Sequence, residues 1–149
     1  SFIDDNPGSR QGLVVKDASG YAGGGNHFAA YINGGDLLVR FQDGSNSTVL
    51  SFDNLIAGEE YEVAATFGSG GVELFVDGVS VDADSGVMMD WTTNAEWLQV
   101  GGLGWSSATG EPNYTSPLSG EIADVQIFDE VLEDDLINQL ANTSSFDLV

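Results

Sequence analysis

The stretch Glu60-Tyr-Glu-Val-Ala-Ala-Thr-Phe67, Gly68-Ser-Gly-Gly71, Val72-Glu-Leu-Phe-Val76, Asp77-Gly78, Val79-Ser-Val81 decides the fold. From Glu60 to Phe67 the side chains alternate. Tyr61, Val63, Ala65 and Phe67 share one side, and Glu60, Glu62, Ala64 and Thr66 share the other. That period predicts a half-buried β-strand. The glycine-rich Gly68–Gly71 turns it into Val72–Val76. Asp77-Gly78 between two apolar runs then predicts a two-residue hairpin, because both residues accept positive φ.

The same grammar extends in both directions. Upstream, Gly12–Lys16, His27–Ile32, Leu37–Gln42 and Thr48–Phe52 read as strands, with a tight turn at Asn33-Gly-Gly35. Downstream, Trp97–Val100 and Glu121–Phe128 read as strands, with Trp97 expected in the core. Looser regions span 82–96 and 103–118. One helix is predicted over Glu133–Ala141, with Leu136 and Leu140 on one face, Leu132 stapled against Ile137, and acidic residues in the first turn. Short strands at this spacing with one terminal helix predict a single all-β domain, a two-sheet antiparallel β-sandwich, and not βαβ units.

The chain has 149 residues, which suits one domain over residues 1–149. Its 24 acidic residues against 3 basic ones give a formal charge of -21. Nucleic acid is a poor partner for such a surface, since binding phosphates takes clustered Lys and Arg. Anionic membrane surfaces are disfavoured for the same reason, and no membrane insertion is expected. Two compatible readings of the acidity stand. Carboxylates keep a surface hydrated in a salty environment, and carboxylates bind Ca²⁺. There is no Cys, so disulfides, thiolate chemistry and Cys-based zinc sites are excluded.

Six segments in order resemble the concanavalin A-like laminin-G (LamG) jelly-roll family of bacterial secreted proteins. They are Arg10–Asp17, Gly25–Tyr31, Gly58–Phe67, Val72–Val79, Leu98–Gly102 and Gly120–Asp129. The resemblance covers most of the chain. It implies a jelly roll excised from a larger extracellular protein of a marine or halophilic bacterium, with other domains of a parent chain as neighbours. Family members usually carry one or two further strands before the counterpart of Phe2-Ile3. The resemblance therefore implies an open sheet edge, or one supplied by another segment such as Phe146–Val149. It also implies a helix cap poorer than usual at Glu133. Glycosidases of this fold place carboxylates along one strand, typically as Glu-x-Asp-x-x-Glu, and no such array occurs here. Nor is there a Gly-x-Ser-x-Gly elbow or a Walker or Rossmann loop.

Asp124 lies between Ala123 and Val125 in an apolar segment, where a carboxylate needs a partner. The resemblance implies a calcium ligand there; a bond to backbone amides or to a scarce cation is the other reading. Asp17 is either a second calcium ligand or the cap of its own turn. Trp91, Trp105 and Tyr114, with Asn113 beside them and Tyr21 in the glycine-rich loop, either stack on sugar rings or plug the ends of the sandwich. His27, the one histidine, reads as structural. Arg40 pairs with a carboxylate or attracts an anionic sugar. The expectation is a non-catalytic carbohydrate-binding module, stabilised by calcium, whose partner is a polysaccharide or glycan. The alternative is a protein-binding or structural domain of a large calcium-dependent bacterial surface adhesin. An enzyme with an unfamiliar site is a third reading.

Overall fold

A computed structural model describes residues 1–16, 27–43, 46–86, 97–104 and 114–142. Their strands are β1 (Phe2–Asp4), β2 (Gln11–Lys16), β3 (His27–Asn33), β4 (Asp36–Asp43), β5 (Asn46–Phe52), β6 (Glu60–Tyr61) and β7 (Val63–Gly68). They continue with β8 (Gly71–Val76), β9 (Val79–Asp84), β10 (Gln99–Val100), β11 (Leu103–Gly104), β12 (Tyr114–Thr115) and β13 (Gly120–Ile122), before helix α1 (Asp134–Ala141). One layer is a five-stranded antiparallel sheet in the order β10-β2-β3-β4-β5. The facing layer holds β13-β1-β6 and β7-β8-β9, and β11-β12 form a separate two-stranded sheet. The expected all-β sandwich is therefore the architecture found.

The core lies between the layers. Ile32, Leu37, Val39, Phe41 and Leu50 come from the five-stranded sheet. They meet Val72, Leu74 and Val76 of β8, with Phe2 and Tyr61 at one end. Phe41 sits 5.5 Å from Phe28 and 6.0 Å from Phe67, in tilted ring pairs. Such offset contacts add to the burial of large apolar rings. Val63, Ala65 and Phe67 pack against this core as the alternation predicts.

The long strand read from Glu60 to Phe67 is broken at Glu62, so β6 pairs with β1 and β7 with β8. Asp77 closes the break. Its N–H donates to the Glu62 carbonyl at 2.8 Å, and its carboxylate accepts the Glu62 N–H at 2.9 Å. The hairpin forms as expected, with φ of 51° at Asp77 and 75° at Gly78. β9 runs further than the sequence suggested, to Asp84. Two acidic side chains hold that extension to the other sheet: Asp82 accepts the Ser51 N–H and Asp84 the Thr48 hydroxyl, each at 2.9 Å.

A buried polar knot ties the start of the chain to β2. Asp4 is 2 % exposed and accepts Gln11 Nε2 through both oxygens at 3.0 Å. Gln11 also donates to the Asn6 carbonyl at 2.8 Å and accepts the Ser119 N–H. A buried carboxylate is tolerable only when bonded in this way.

Three expectations need correction. The strand Glu121–Phe128 shortens to Gly120–Ile122, the stretch paired with β1. After the Ser1–Ala123 bonds, Asp124 takes φ of 48° and regular pairing ends. Trp97 is not core but 60 % exposed, outside the short strand Gln99–Val100. In the helix, Ile137 is the buried residue, while Leu136 and Leu140 are exposed. The N-cap is Glu133 with no side-chain cap bond, as the poorer cap implied.

Gly12 is fixed by a close crossing. A Cβ there would stand 2.1 Å from the Gly102 carbonyl carbon, while one on Gly8 would meet nothing within 4 Å. Gly12→Ala is expected to destabilise the fold by about 1–3 kcal/mol in urea melts, the usual cost of overpacking. Gly8→Ala is expected to stay within about 0.5 kcal/mol. Equal effects would show that the crossing is loose.

Candidate functional site

Successive side chains in a strand point to opposite faces, and directly paired residues share a face. In β3, Phe28, Ala30 and Ile32 face the core. His27, Ala29 and Tyr31 therefore face the other way. Their partners on β4 are Gln42, Arg40 and Leu38. Across the sheet, Gln99, Val15, Ala29, Arg40 and Val49 form one continuous row.

The outward face of a sandwich sheet is ordinarily wet. Here it is covered. His27 is 2 % exposed, Arg40 5 %, Gln42 7 % and Gln99 8 %. Part of the cover is the β11–β12 hairpin, whose Leu103 packs on Val15, Ala29 and Tyr31. The crossing at Gly12 brings that hairpin down onto the sheet. The Arg40 guanidinium donates to Gln42 Oε1, and its Nε lies 3.5 Å from the Ser47 hydroxyl. Arg10 sits over the Tyr31 ring, 5.6 Å from its centroid. Gln99 Oε1 is buried and has no hydrogen-bond partner among the described residues. Leaving a buried acceptor without a donor costs about 1–3 kcal/mol, and Ser1 Oγ and Glu60 Oε1, in the facing layer, are likewise without a partner among the described residues.

This face offers a chelating donor in Arg40, an imidazole in His27, and two amides that donate and accept. That set suits hydroxyl and carboxylate groups of a polar ligand. Among the described residues its one carboxylate is Asp36, at the sheet end, where Oδ1 accepts the Asn54 N–H at 3.1 Å.

Of the sequence candidates, Asp17, Tyr21, Trp91, Trp105 and Asn113 lie outside the described residues. Tyr114 is 56 % exposed and firmly seated. Its hydroxyl donates to the Gly101 carbonyl at 2.6 Å, and its ring lies where a Gly102 side chain would otherwise project. Asp124 is exposed, outside any strand, and so lacks the apolar burial that singled it out. No group of three or more metal-ligating side chains occurs among the described residues.

His27 read as structural in sequence, and Gln42 and Gln99 went unnoticed. The signal for Arg40 and Gln42 was there: two polar residues, two apart, interrupt the apolar run Leu37-Leu-Val39 and Phe41. For Gln99 the sequence holds no such signal.

The chain belongs to the concanavalin A-like lectin/glucanases superfamily, whose laminin G model matches residues 3–138. No curated protein matches it in sequence. Among solved structures it is similar to the Ruminococcus gnavus IT-sialidase CBM40 bound to alpha2,3 sialyllactose. The TM-score is 0.71 at 18% identity, over 94% of this chain and 78% of that one. The same CBM40 bound to alpha2,6 sialyllactose gives 0.71 at 17% identity, over 94% and 79%. The leech intramolecular trans-sialidase complexed with 2,7-anhydro-Neu5Ac gives 0.69 at 16% identity, over 97% of this chain but 23% of that one.

Gln99→Leu removes the orphaned acceptor and is expected to leave the melting temperature unchanged or raise it. A fall of several degrees would mean that Gln99 holds the fold together.

Proposed function

We propose that this domain is a non-catalytic carbohydrate-binding module whose glycan sits on the covered face of the five-stranded sheet. The observation that carries the reading is the buried polar set His27, Arg40, Gln42 and Gln99 on the side of that sheet away from the core. A purely structural sandwich gains nothing from burying these groups there, and the orphaned Gln99 oxygen is an acceptor awaiting a donor. Sugar hydroxyls are such donors. Arg40 would favour an acidic sugar, since a guanidinium recognises carboxylates in a fixed fork geometry. One structurally similar module, the Ruminococcus gnavus IT-sialidase CBM40, is described as bound to alpha2,3 and to alpha2,6 sialyllactose, which carries such a carboxylate.

Exposed Tyr114, on the hairpin crossing this face, offers a stacking surface at its margin. Trp91, Trp105, Tyr21 and Asn113 belong to the proposal as further contacts. Most glycosidases place a pair of carboxylates about 5–9.5 Å apart around the bond they cleave, sialidases with a tyrosine nucleophile excepted. The similarity to carbohydrate-binding modules supports binding over catalysis. The acidity supports an extracellular setting and calcium as a structural ion, with Asp17 and Asp124 its proposed ligands.

The test is calorimetric titration with a panel of neutral and sialylated glycans, alpha2,3- and alpha2,6-sialyllactose included. Binding of an acidic glycan is expected, weakened at least about tenfold in Arg40→Gln, the loss of one charge-assisted contact. Melting in calcium against EDTA at fixed ionic strength accompanies it, and a specific ion raises Tm beyond what sodium chloride achieves. No binding to any glycan would defeat the module. Equal binding by Arg40→Gln would defeat the site.

A further inference from the structure

The chain holds three basic residues against 24 acidic ones. Two of the three, Arg10 and Arg40, come to the same side of the five-stranded sheet, the side away from the core. Lys16 does not join them, because its partner on β3 is the core-facing Phe28. With a net charge of -21, most of this surface repels anions. The outward face of β3 and β4 is where positive charge gathers. Arg40 answers to one carboxylate of a ligand, which leaves Arg10 without a part in recognition.

Arg10 is exposed, yet it is held in place. Its guanidinium lies over the Tyr31 ring, 5.6 Å from the centroid, and Tyr31 itself is only 8 % exposed. A guanidinium stacked by its face still carries five N–H donors round its edge, more than one bidentate partner uses. On β4, Arg40 stands opposite Ala29 and Leu38 opposite Tyr31. Tyr31 is therefore the diagonal neighbour of Arg40, about 7–8 Å away along the sheet. The two guanidiniums stand on the order of 10 Å apart. Leu38 lies between them, partly buried and packed on the cluster that includes Tyr31. Two residues further on, opposite Asn33, Asp36 puts a carboxylate at the end of the file. The order along this face is thus positive, apolar, positive, negative.

We propose that Arg10, stacked on Tyr31, forms a second acidic-sugar subsite, so that the domain selects glycans bearing two carboxylates over glycans bearing one. The inference rests on the reading of this face as a glycan site. One carboxylate is held by Arg40 and the next by Arg10, while the C–H face of the sugar between them lies on Leu38. Asp36 repels a further acidic group at that end. Selection then uses repulsion as well as attraction. An acidic glycan is kept off the rest of the surface and is accepted only in register with both guanidiniums.

The experiment is a calorimetric titration with two series of glycans in about 0.15 M salt, where charges more than about 8 Å apart are largely screened. One series runs from lactose through sialyllactose to a disialylated lactose. The other runs from galacturonic acid to oligogalacturonates of increasing length. In at least one series, the second carboxylate is expected to raise affinity at least about tenfold, the worth of one charge-assisted contact. Arg10→Gln is expected to cut that gain to about twofold or less, with the melting temperature unchanged. Arg40→Gln should weaken one-carboxylate and two-carboxylate ligands together. Acidic glycans that bind with no gain from a second carboxylate would overturn the second subsite and leave the glycan face standing. A gain that survives Arg10→Gln would do the same. No binding of any member of either series would overturn both readings.

Discussion

Along β3 and β4, alternate side chains must go to opposite faces of one sheet, and both faces here are buried. Phe28, Ala30, Ile32, Leu37, Val39 and Phe41 turn towards the second layer and make the centre of the apolar core. The same alternation sends His27, Tyr31, Arg40 and Gln42 to the other side. Core and candidate site are thus two sides of one hairpin. A one-residue slip in its register would carry arginine into the core and phenylalanine onto the polar face. The turn at Asn33, Gly34 and Gly35, with φ of 70° and 98° at the glycines, fixes that register.

The second layer depends on this sheet. β8 covers its apolar face, and β9 is fastened to β5 by Asp82 and Asp84. In so acidic a chain these two carboxylates serve the fold, each by accepting a neutral donor. The β1 side of this layer is held differently. The Asp4–Gln11 knot and the Ser1–Ala123 bonds anchor it, and beyond them the β7 edge has no strand partner among the described residues. The architecture is therefore well determined around β3, β4 and β8, and open beside β7.

Much of this was legible in the sequence. Asp77-Gly78 and Asn33-Gly-Gly35 announced their hairpins, because positive φ has few residues to serve it. The alternation of Val63, Ala65 and Phe67 gave their inward face. Other features depend on partners that no local pattern names. Glu121–Phe128 alternates like a strand, yet a strand needs a neighbour, and β1 pairs only with Gly120–Ile122. Trp97 reads as core because it begins a strand, yet the strand starts only at Gln99 and the ring is exposed. Asp124 drew attention as a carboxylate in an apolar strand, and its exposure removes that reason. The polar face was half visible, in Arg40 and Gln42. His27 and Gln99 become informative only once a hairpin from far along the chain covers the sheet.

The central claim is that the covered polar face receives a glycan. The most direct measurement is a nuclear magnetic resonance titration that follows the side-chain amides of Gln42 and Gln99 and the His27 ring as sialyllactose is added. The account predicts saturable shifts concentrated at these three groups, with β8 and β9 unmoved. Saturable binding that shifts residues elsewhere and leaves these three untouched would contradict it.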